Sequence, residues 1–281
     1  MPSIIHTDSV VVPAIYQGSL LFLPPSNLSL ELCDFATRIV EGVFEFKMGE
    51  IITDESTDVQ TFIAKAKKCK ETFTSSKQMQ KLLKELISDR YKLYRNDNLL
   101  FDVPRLRIVP NSSFLSSGIS YNYKPHRDTW YGGGEDQINH WMSLANVTEN
   151  STFYIAPTFF SRGIDNNSEI FDLDEWDSKY RLKAELNVAA EERPHPVPLA
   201  DLSMVDRYKI VISQGSEVVF SGHHLHGSAQ STSSLVRFSI DYRVYFEEAK
   251  YPIPMNIDNR ASGNYRKYLF PLLNENLPIR D

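Results

Sequence analysis

Apolar positions follow two different rhythms along the chain, and the change comes near Leu106. Before it they recur at spacings of three and four, the signature of helices with one buried face. After the loop "PPSN", the segment "LSLELCDFATRIVEGVFEF" places Leu32, Phe35, Ile39 and Val43 on one stripe, with Ser29 as N-cap. A second helix is predicted from Asp58 to Phe73. A third, "SKQMQKLLKELISDRYKLYRND", aligns Met79, Leu82, Leu83, Leu86 and Ile87. Its lysines, with Lys65, Lys67, Lys68 and Lys70 before them, fall on the opposite side and read as a solvated face.

Beyond Leu106 the runs shorten and become rich in β-formers: "LRIVP", "GISYNY", "QINHWMSL", "STFYIAP", "KIVIS", "SEVVFS" and "LVRFSIDYRVYF". Turn-formers such as Gly132–Gly134, Asn146, Gln214–Gly215 and Gly222 separate them. Many short strands without intervening helices predict a sandwich or barrel of jelly-roll type, whose interior can enclose a small ligand. The fold class is therefore α+β, with the N-terminal helices packed on the strands. One domain is expected over 1–281, with 1–105 as mainly helical support, 106–250 as the core and 251–281 as a C-terminal extension. An acidic excursion, Ser161–Arg207, ending in "RPHPVP", interrupts the core and reads either as a solvated excursion or as a cover over the barrel mouth.

Composition narrows the function classes. Hydrophobic residues make up 42%, enough for a packed core, and the net charge of −6 argues against a nucleic-acid surface. No uncharged apolar run is long enough to span a bilayer, so no membrane partner is expected. Cys33 and Cys69, with no CxxC, read as reduced thiols. The first residues lack a basic n-region and are broken by Asp8 and Pro13, so a cytoplasmic location is expected.

The candidate chemistry begins in "YKPHRDTWY". On a strand, His126 and Asp128 point to the same face, and Arg127 points away into an ion pair. Two ligands do not hold a metal. Three histidines, His223, His224 and His226, crowd into "SGHHLHGS" far downstream, between two β-rich runs. Two imidazoles and one carboxylate leave positions open on an iron, the arrangement of non-haem ferrous oxygenases. A catalytic zinc uses the same residue types, so these ligands alone leave a metal-dependent hydrolase or isomerase open, with Glu135 or Asp136 as base. A non-catalytic small-molecule-binding barrel is the third reading. Eleven positions after His226 comes Arg237, with Ser239 two further on. An inward arginine is expensive unless it meets an anion, and a guanidinium beside a hydroxyl matches a carboxylate. Trp130 and Tyr131 are expected to wall the substrate space. Tyr121, Tyr123 and Phe153 read as core aromatics.

Together these segments resemble the phytanoyl-CoA dioxygenase-like family of Fe(II)/2-oxoglutarate-dependent oxygenases, from about Leu106 to Tyr245. His126-x-Asp128 resembles the first two ligands, "LHGSAQSTSS" the distal-histidine motif, which selects His226, and "RFS" the arginine-x-serine that holds the co-substrate's distal carboxylate. "INHWMSLANVTENSTFYIAP" is similar to the family's strand pair. The resemblance implies a double-stranded β-helix and a reaction using Fe(2+), 2-oxoglutarate and O2 to hydroxylate a small-molecule substrate, releasing succinate and CO2. Gln137 or Asn139 would then orient the C1 end of 2-oxoglutarate. The family's Gly-Ser-His after the proline is here Thr158-Phe159-Phe160, and no basic cluster near the mouth suits a CoA phosphate. Length and the missing loop are similar to the members that tailor secondary metabolites, among them the cylindrospermopsin-type cyanobacterial alkaloid hydroxylases.

Overall fold

Each amphipathic stripe of the first hundred residues becomes a helix packed on one face of a large sheet. A computed structural model describes residues 3–110, 114, 124–180, 193–203, 205–229, 233–248, 250–255 and 257–274. The helices are α1 (Val12–Tyr16), α2 (Asn27–Phe44), α3 (Val59–Ser75) and α4 (Lys77–Arg90). The cap of α2 is Ser26 rather than Ser29, which occupies the third helical position. The Ser29 backbone N–H donates to Ser26 Oγ at 3.2 Å and the Ser26 N–H to Ser29 Oγ at 2.8 Å, a reciprocal box that starts the helix earlier than its apolar stripe. Asp58 and Ser76 cap α3 and α4 with one bond each, their side chains accepting from the Thr61 and Met79 backbone N–H.

Among the described residues eleven strands form two sheets: β1 (Ile4–His6), β2 (Leu20–Leu23), β3 (Leu99–Phe101), β4 (Arg105–Val109), β5 (Ile138–Ser143), β6 (Phe153–Ala156), β7 (Tyr208–Lys209), β8 (Glu217–Ser221), β9 (Leu225–Ser228), β10 (Arg237–Phe246) and β11 (Phe270–Pro271). The larger sheet has the order β1-β2-β8-β5-β10-β3-β11, with β4 also on β10; the smaller is β7-β6-β9. The mainly helical support also supplies β1, β2 and β3, and the C-terminal extension supplies β11. Apolar runs of two to four residues are too short for any period to betray them. "KIVIS" contributes only its first residue to β7, and "GISYNY", with Tyr121 and Tyr123, lies outside the described residues.

Three layers result. Leu21 and Leu23 of β2, Ile138 and Met142 of β5, Val219 of β8 and the even positions of β10 face the helices. Leu20, Phe22, Trp141, Val218 and Phe220 face the smaller sheet and pack on its Phe153 and Ile155. The period of two along β10 therefore sorts its side chains strictly. Phe238, Ile240, Tyr242, Val244 and Phe246 enter the helical core, and Arg237, Ser239, Asp241, Arg243 and Tyr245 line a cavity on the other side.

The helical side also buries a charge. Glu217 of β8, fully buried, accepts from Arg90 Nε at 2.7 Å, from Tyr242 Oη at 2.5 Å and from His140 Nδ1 at 3.0 Å. Tyr91 Oη lies 3.0 Å from His140 Nε2. Burial alone would raise the Glu217 carboxyl, but the hydrogen bond from His140 and the charge of Arg90 outweigh it and hold it at about 2. Removing one partner of a buried pair strands the other, so Glu217→Ala is expected to cost about 3–5 kcal/mol in urea unfolding. A carboxyl held below its ordinary 4.5 contributes stability that is complete above that pH and lost as pH falls toward 2. The variant should lose that part of the acid dependence.

Candidate metal centre and its cavity

The site is built from two extended residues that meet across about a hundred positions of chain. His126 and His226 form an antiparallel bridge, each N–H donating to the other's carbonyl at 2.8 and 2.9 Å. The expected strand through His126 is reduced to this single bridge, for Asp128 already opens a turn of 3₁₀ helix, Asp128–Tyr131. The same-side relation of His126 and Asp128 survives because Arg127 between them is extended, at φ −107° and ψ 145°. The turn closes on Gly132, at φ +68°. A Cβ on Gly133 would stand 2.8 Å from the Asp128 carbonyl oxygen and 2.6 Å from Gln137 Oε1, so only glycine passes there.

His126, Asp128 and His226 each offer a ligand atom within 4.8 Å of the others, the one such triad among the described residues. His126 Nε2 stands 3.8 Å from Asp128 Oδ1, inside the roughly 4 Å that two metal bonds of about 2.1 Å span. Both rings are fixed from behind. His126 Nδ1 lies 2.7 Å from the Lys124 carbonyl and His226 Nδ1 3.0 Å from the His224 carbonyl. A carbonyl only accepts, so both Nδ1 atoms carry the proton and both Nε2 lone pairs remain for a ligand. Burial, helped by His226, pushes the His126 imidazole down to about 3, which keeps it neutral at ordinary pH. Burial raises the Asp128 carboxyl, but Arg243 and the two imidazoles outweigh it and hold it at about 2.

Gln137 and Asn139 hold this carboxylate. Gln137 Nε2 and Asn139 Nδ2 donate to Asp128 Oδ2 at 3.0 and 2.5 Å, and Tyr245 Oη donates to Gln137 Oε1 at 2.6 Å, fixing the amide's orientation. Oδ1 is left facing the imidazoles, with Arg243 Nη2 at 3.8 Å. The amides expected to meet a co-substrate are thus turned to Asp128 instead, because one carboxylate oxygen draws both.

The other two histidines stay out of the cluster. His224 is fully buried, its ring nitrogens 3.2 Å from the carbonyls of Ser221 and Gly18. His223 gives its carbonyl to the Arg127 guanidinium. Arg127 itself is fully buried, as an inward structural ion pair with Asp258 at 3.1 Å that also donates to the Phe159 and Arg162 carbonyls.

The cavity beside the triad measures about 550 Å³. Arg237 and Ser239 both line it, and Arg237 Nε and Ser239 Oγ are buried polar atoms without a partner. The Arg237 guanidinium stands 5.8 Å over the Trp141 ring, and burial pushes it down to about 10. Tyr131 is in the wall as expected, its ring 5.1 Å edge-on to His126 and its hydroxyl 3.1 Å from His195 Nδ1. Trp130 is not. It is fully buried, packs on Ala156, Ile164 and Leu225, and donates to Asp258 Oδ1 at 2.8 Å. The tight turn that points Asp128 and Tyr131 to the cavity turns Trp130 away from it into a separate apolar cluster. Phe153 is both core and wall.

The remaining segments fare differently. Phe171, Leu173, Trp176 and Arg193 of the excursion line the cavity, while residues 181–192 of it lie outside the described ones. The Thr158–Phe160 loop is not at the cavity: Phe159 packs beside Trp130 and Phe160 on His224, with ring centroids 4.6 Å apart. Lys70 is no solvated lysine, since α3 packs on β4 and brings it into the wall with Arg105, Arg107 and Arg193. Burial and the neighbouring Arg107 push its ammonium down to about 7. These four cations therefore stand in the cavity lining, two of them paired with Asp102 and Asp241. Neither proposed hydrolytic base is in the wall; Asp136 is held by Tyr265 at 2.8 Å and Arg266 at 3.2 Å.

No helix among the described residues is long and apolar enough to cross a membrane. No protein-family profile matches the sequence, and no curated protein does. Solved structures with a similar fold include a non-heme monooxygenase, the ThoJ–Ni complex, at 14% identity over 90% of this chain and 86% of that one, TM-score 0.44. EvdO2 from Micromonospora carbonacea var. aurantiaca, complexed with 2-oxoglutarate, aligns at 12% identity over 89% and 96%, TM-score 0.46. EctD from S. alaskensis with bound Fe aligns at 14% identity over 85% and 77%, TM-score 0.48.

Proposed function

We propose that this protein is an Fe(II)/2-oxoglutarate-dependent oxygenase with a jelly-roll core that hydroxylates an aliphatic C–H bond of a small secondary metabolite, alkaloids included, with release of succinate and CO2. One observation carries the reading. A triad of two imidazoles and one ionised carboxylate shares a cavity with an arginine and a serine whose buried polar atoms lack partners among the described residues. The donor set suits iron with coordination positions left open, and the orphaned pair suits the distal carboxylate of a small keto diacid.

His126, Asp128 and His226 hold the metal through Nε2, Oδ1 and Nε2, with Gln137, Asn139 and Tyr245 fixing the carboxylate. When bound, iron with 2-oxoglutarate and O2 supplies the oxidation of an unactivated carbon that no side chain can perform. Arg237 and Ser239 orient the co-substrate. Tyr131, with Phe171 and Trp176, positions the substrate and keeps bulk water from the centre. The carboxylate at 128 fills the place a halide would need, which favours hydroxylation. A hydrolase reading is disfavoured because neither Glu135 nor Asp136 lines the cavity.

Turnover should require O2 and 2-oxoglutarate and release succinate; product formation without them would establish the hydrolase or isomerase instead. Losing a ligand costs more than the roughly 10–100-fold that outer partners cost. His126→Ala, Asp128→Ala and His226→Ala should therefore each abolish Mn²⁺ binding in an EPR titration, and His224→Ala should retain it. Hydrogen bonds to charged groups are worth about 1.5–3 kcal/mol. Arg237→Ala should accordingly weaken 2-oxoglutarate binding to the Mn²⁺-loaded protein about 10–150-fold by calorimetry; an unchanged affinity refutes its role.

A further inference from the structure

Two acids in the same cavity are used by neither the metal nor the co-substrate in this reading. Asp102, directly after β3, is 5% exposed, and Asp241 stands on β10 between Ser239 and Arg243; both line the cavity. They are neighbours. Arg105 lies opposite Asp241 in the sheet register and donates to Asp102 Oδ2 at 2.7 Å. Arg243 adds a second donor to that oxygen at 3.3 Å, and Arg107 Nε donates to Asp241 Oδ2 at 2.5 Å. Each carboxylate is thus balanced through Oδ2. Asp102 Oδ1 and Asp241 Oδ1 are buried acceptors with no hydrogen-bond partner among the described residues. Leaving buried acceptors unpaired is costly, and the ion pairs already satisfy the charge, so these oxygens require neutral hydrogen-bond donors rather than another cation.

Their place relative to the metal is also fixed. The guanidinium that bonds Asp102 through Nη1 lies 3.8 Å from Asp128 Oδ1 through Nη2, so one arginine separates Asp102 from the triad, and Asp241 stands two residues before that arginine on the same face of β10. We propose that Asp102 and Asp241 are the specificity-determining acceptors of the substrate site, and that the substrate presents at least two N–H or O–H donors, as a polyol or an amide- or urea-like compound does. This rests on the oxygenase reading and names the substrate class for the same cavity.

Asparagine separates the two carboxylate oxygens in function. In Asp102→Asn the amide oxygen must stay with Arg105 and Arg243, so the NH₂ group takes the position of Oδ1 and turns an acceptor into a donor. Asp241→Asn does the same beside Arg107, at a less buried position that tolerates the change better. The protein, loaded with Mn²⁺ and 2-oxoglutarate so that nothing turns over, is equilibrated with a library of water-soluble metabolites, and the retained compounds are read by mass spectrometry. Donor-bearing compounds should be retained by the wild type and reduced at least about tenfold in each variant. Retention unchanged in both variants, retention of donor-free compounds only, or no retention at all overturns the inference. Failure of the oxygenase reading looks different, because the Mn²⁺-loaded wild type would then not bind 2-oxoglutarate.

Discussion

A single antiparallel bridge holds the candidate centre together. When the backbones of His126 and His226 exchange hydrogen bonds, their rings are brought to 4.4 Å between centroids, and the next residue but one adds its carboxylate. Everything else in the site leans on that junction. The Asp128 N–H donates to the Gly222 carbonyl at 3.1 Å, and the Gly222 N–H to the Gln137 carbonyl at 3.0 Å. The loop that ends β8 and the entry to β5 are thus tied to the ligand loop by main-chain hydrogen bonds, which side-chain substitution leaves in place.

β10 is the second organising element, because its two faces carry two different polar systems. Toward the helices, Tyr242 joins Arg90, Glu217 and His140 in a closed network with every charge matched. Toward the cavity, Arg237, Ser239, Asp241 and Arg243 stand in line with four polar atoms left open between this strand and Asp102. The contrast carries the functional reading. Buried polar groups are usually satisfied within the fold, so a row of unpaired ones along a cavity suits a ligand. Arg243 belongs to both purposes, since it neutralises Asp102 and helps keep Asp128 ionised.

The sequence legible in advance was the part governed by local periodicity and by short spacing. Helices α2, α3 and α4, the strands β4, β5, β6, β8 and β10, and the inward phase of Arg237 and Ser239 all follow from periods of 3.6 and 2. Arg243 and Tyr245 were legible by the same count, four and six residues beyond Ser239 on one face. Trp130 was misread because a turn, not a strand, follows His126, and a turn redirects each residue separately. Lys70 was misread because a helix's polar stripe says nothing of which neighbour covers it.

What the chain alone determined is which residue types lie two or eleven apart, and hence that a His-x-Asp pair, a later histidine and an Arg-x-Ser pair exist to be used. Tertiary structure decided that His226, and neither of its neighbours, meets His126. It also decided that Gln137 and Asn139 serve Asp128, and that Asp102 and Asp241 keep an oxygen open beside the centre. The first and last depend on contacts between segments a hundred residues apart or more, and the second on a turn within about ten residues; in each the direction of a side chain is set by register and turns that no local pattern encodes.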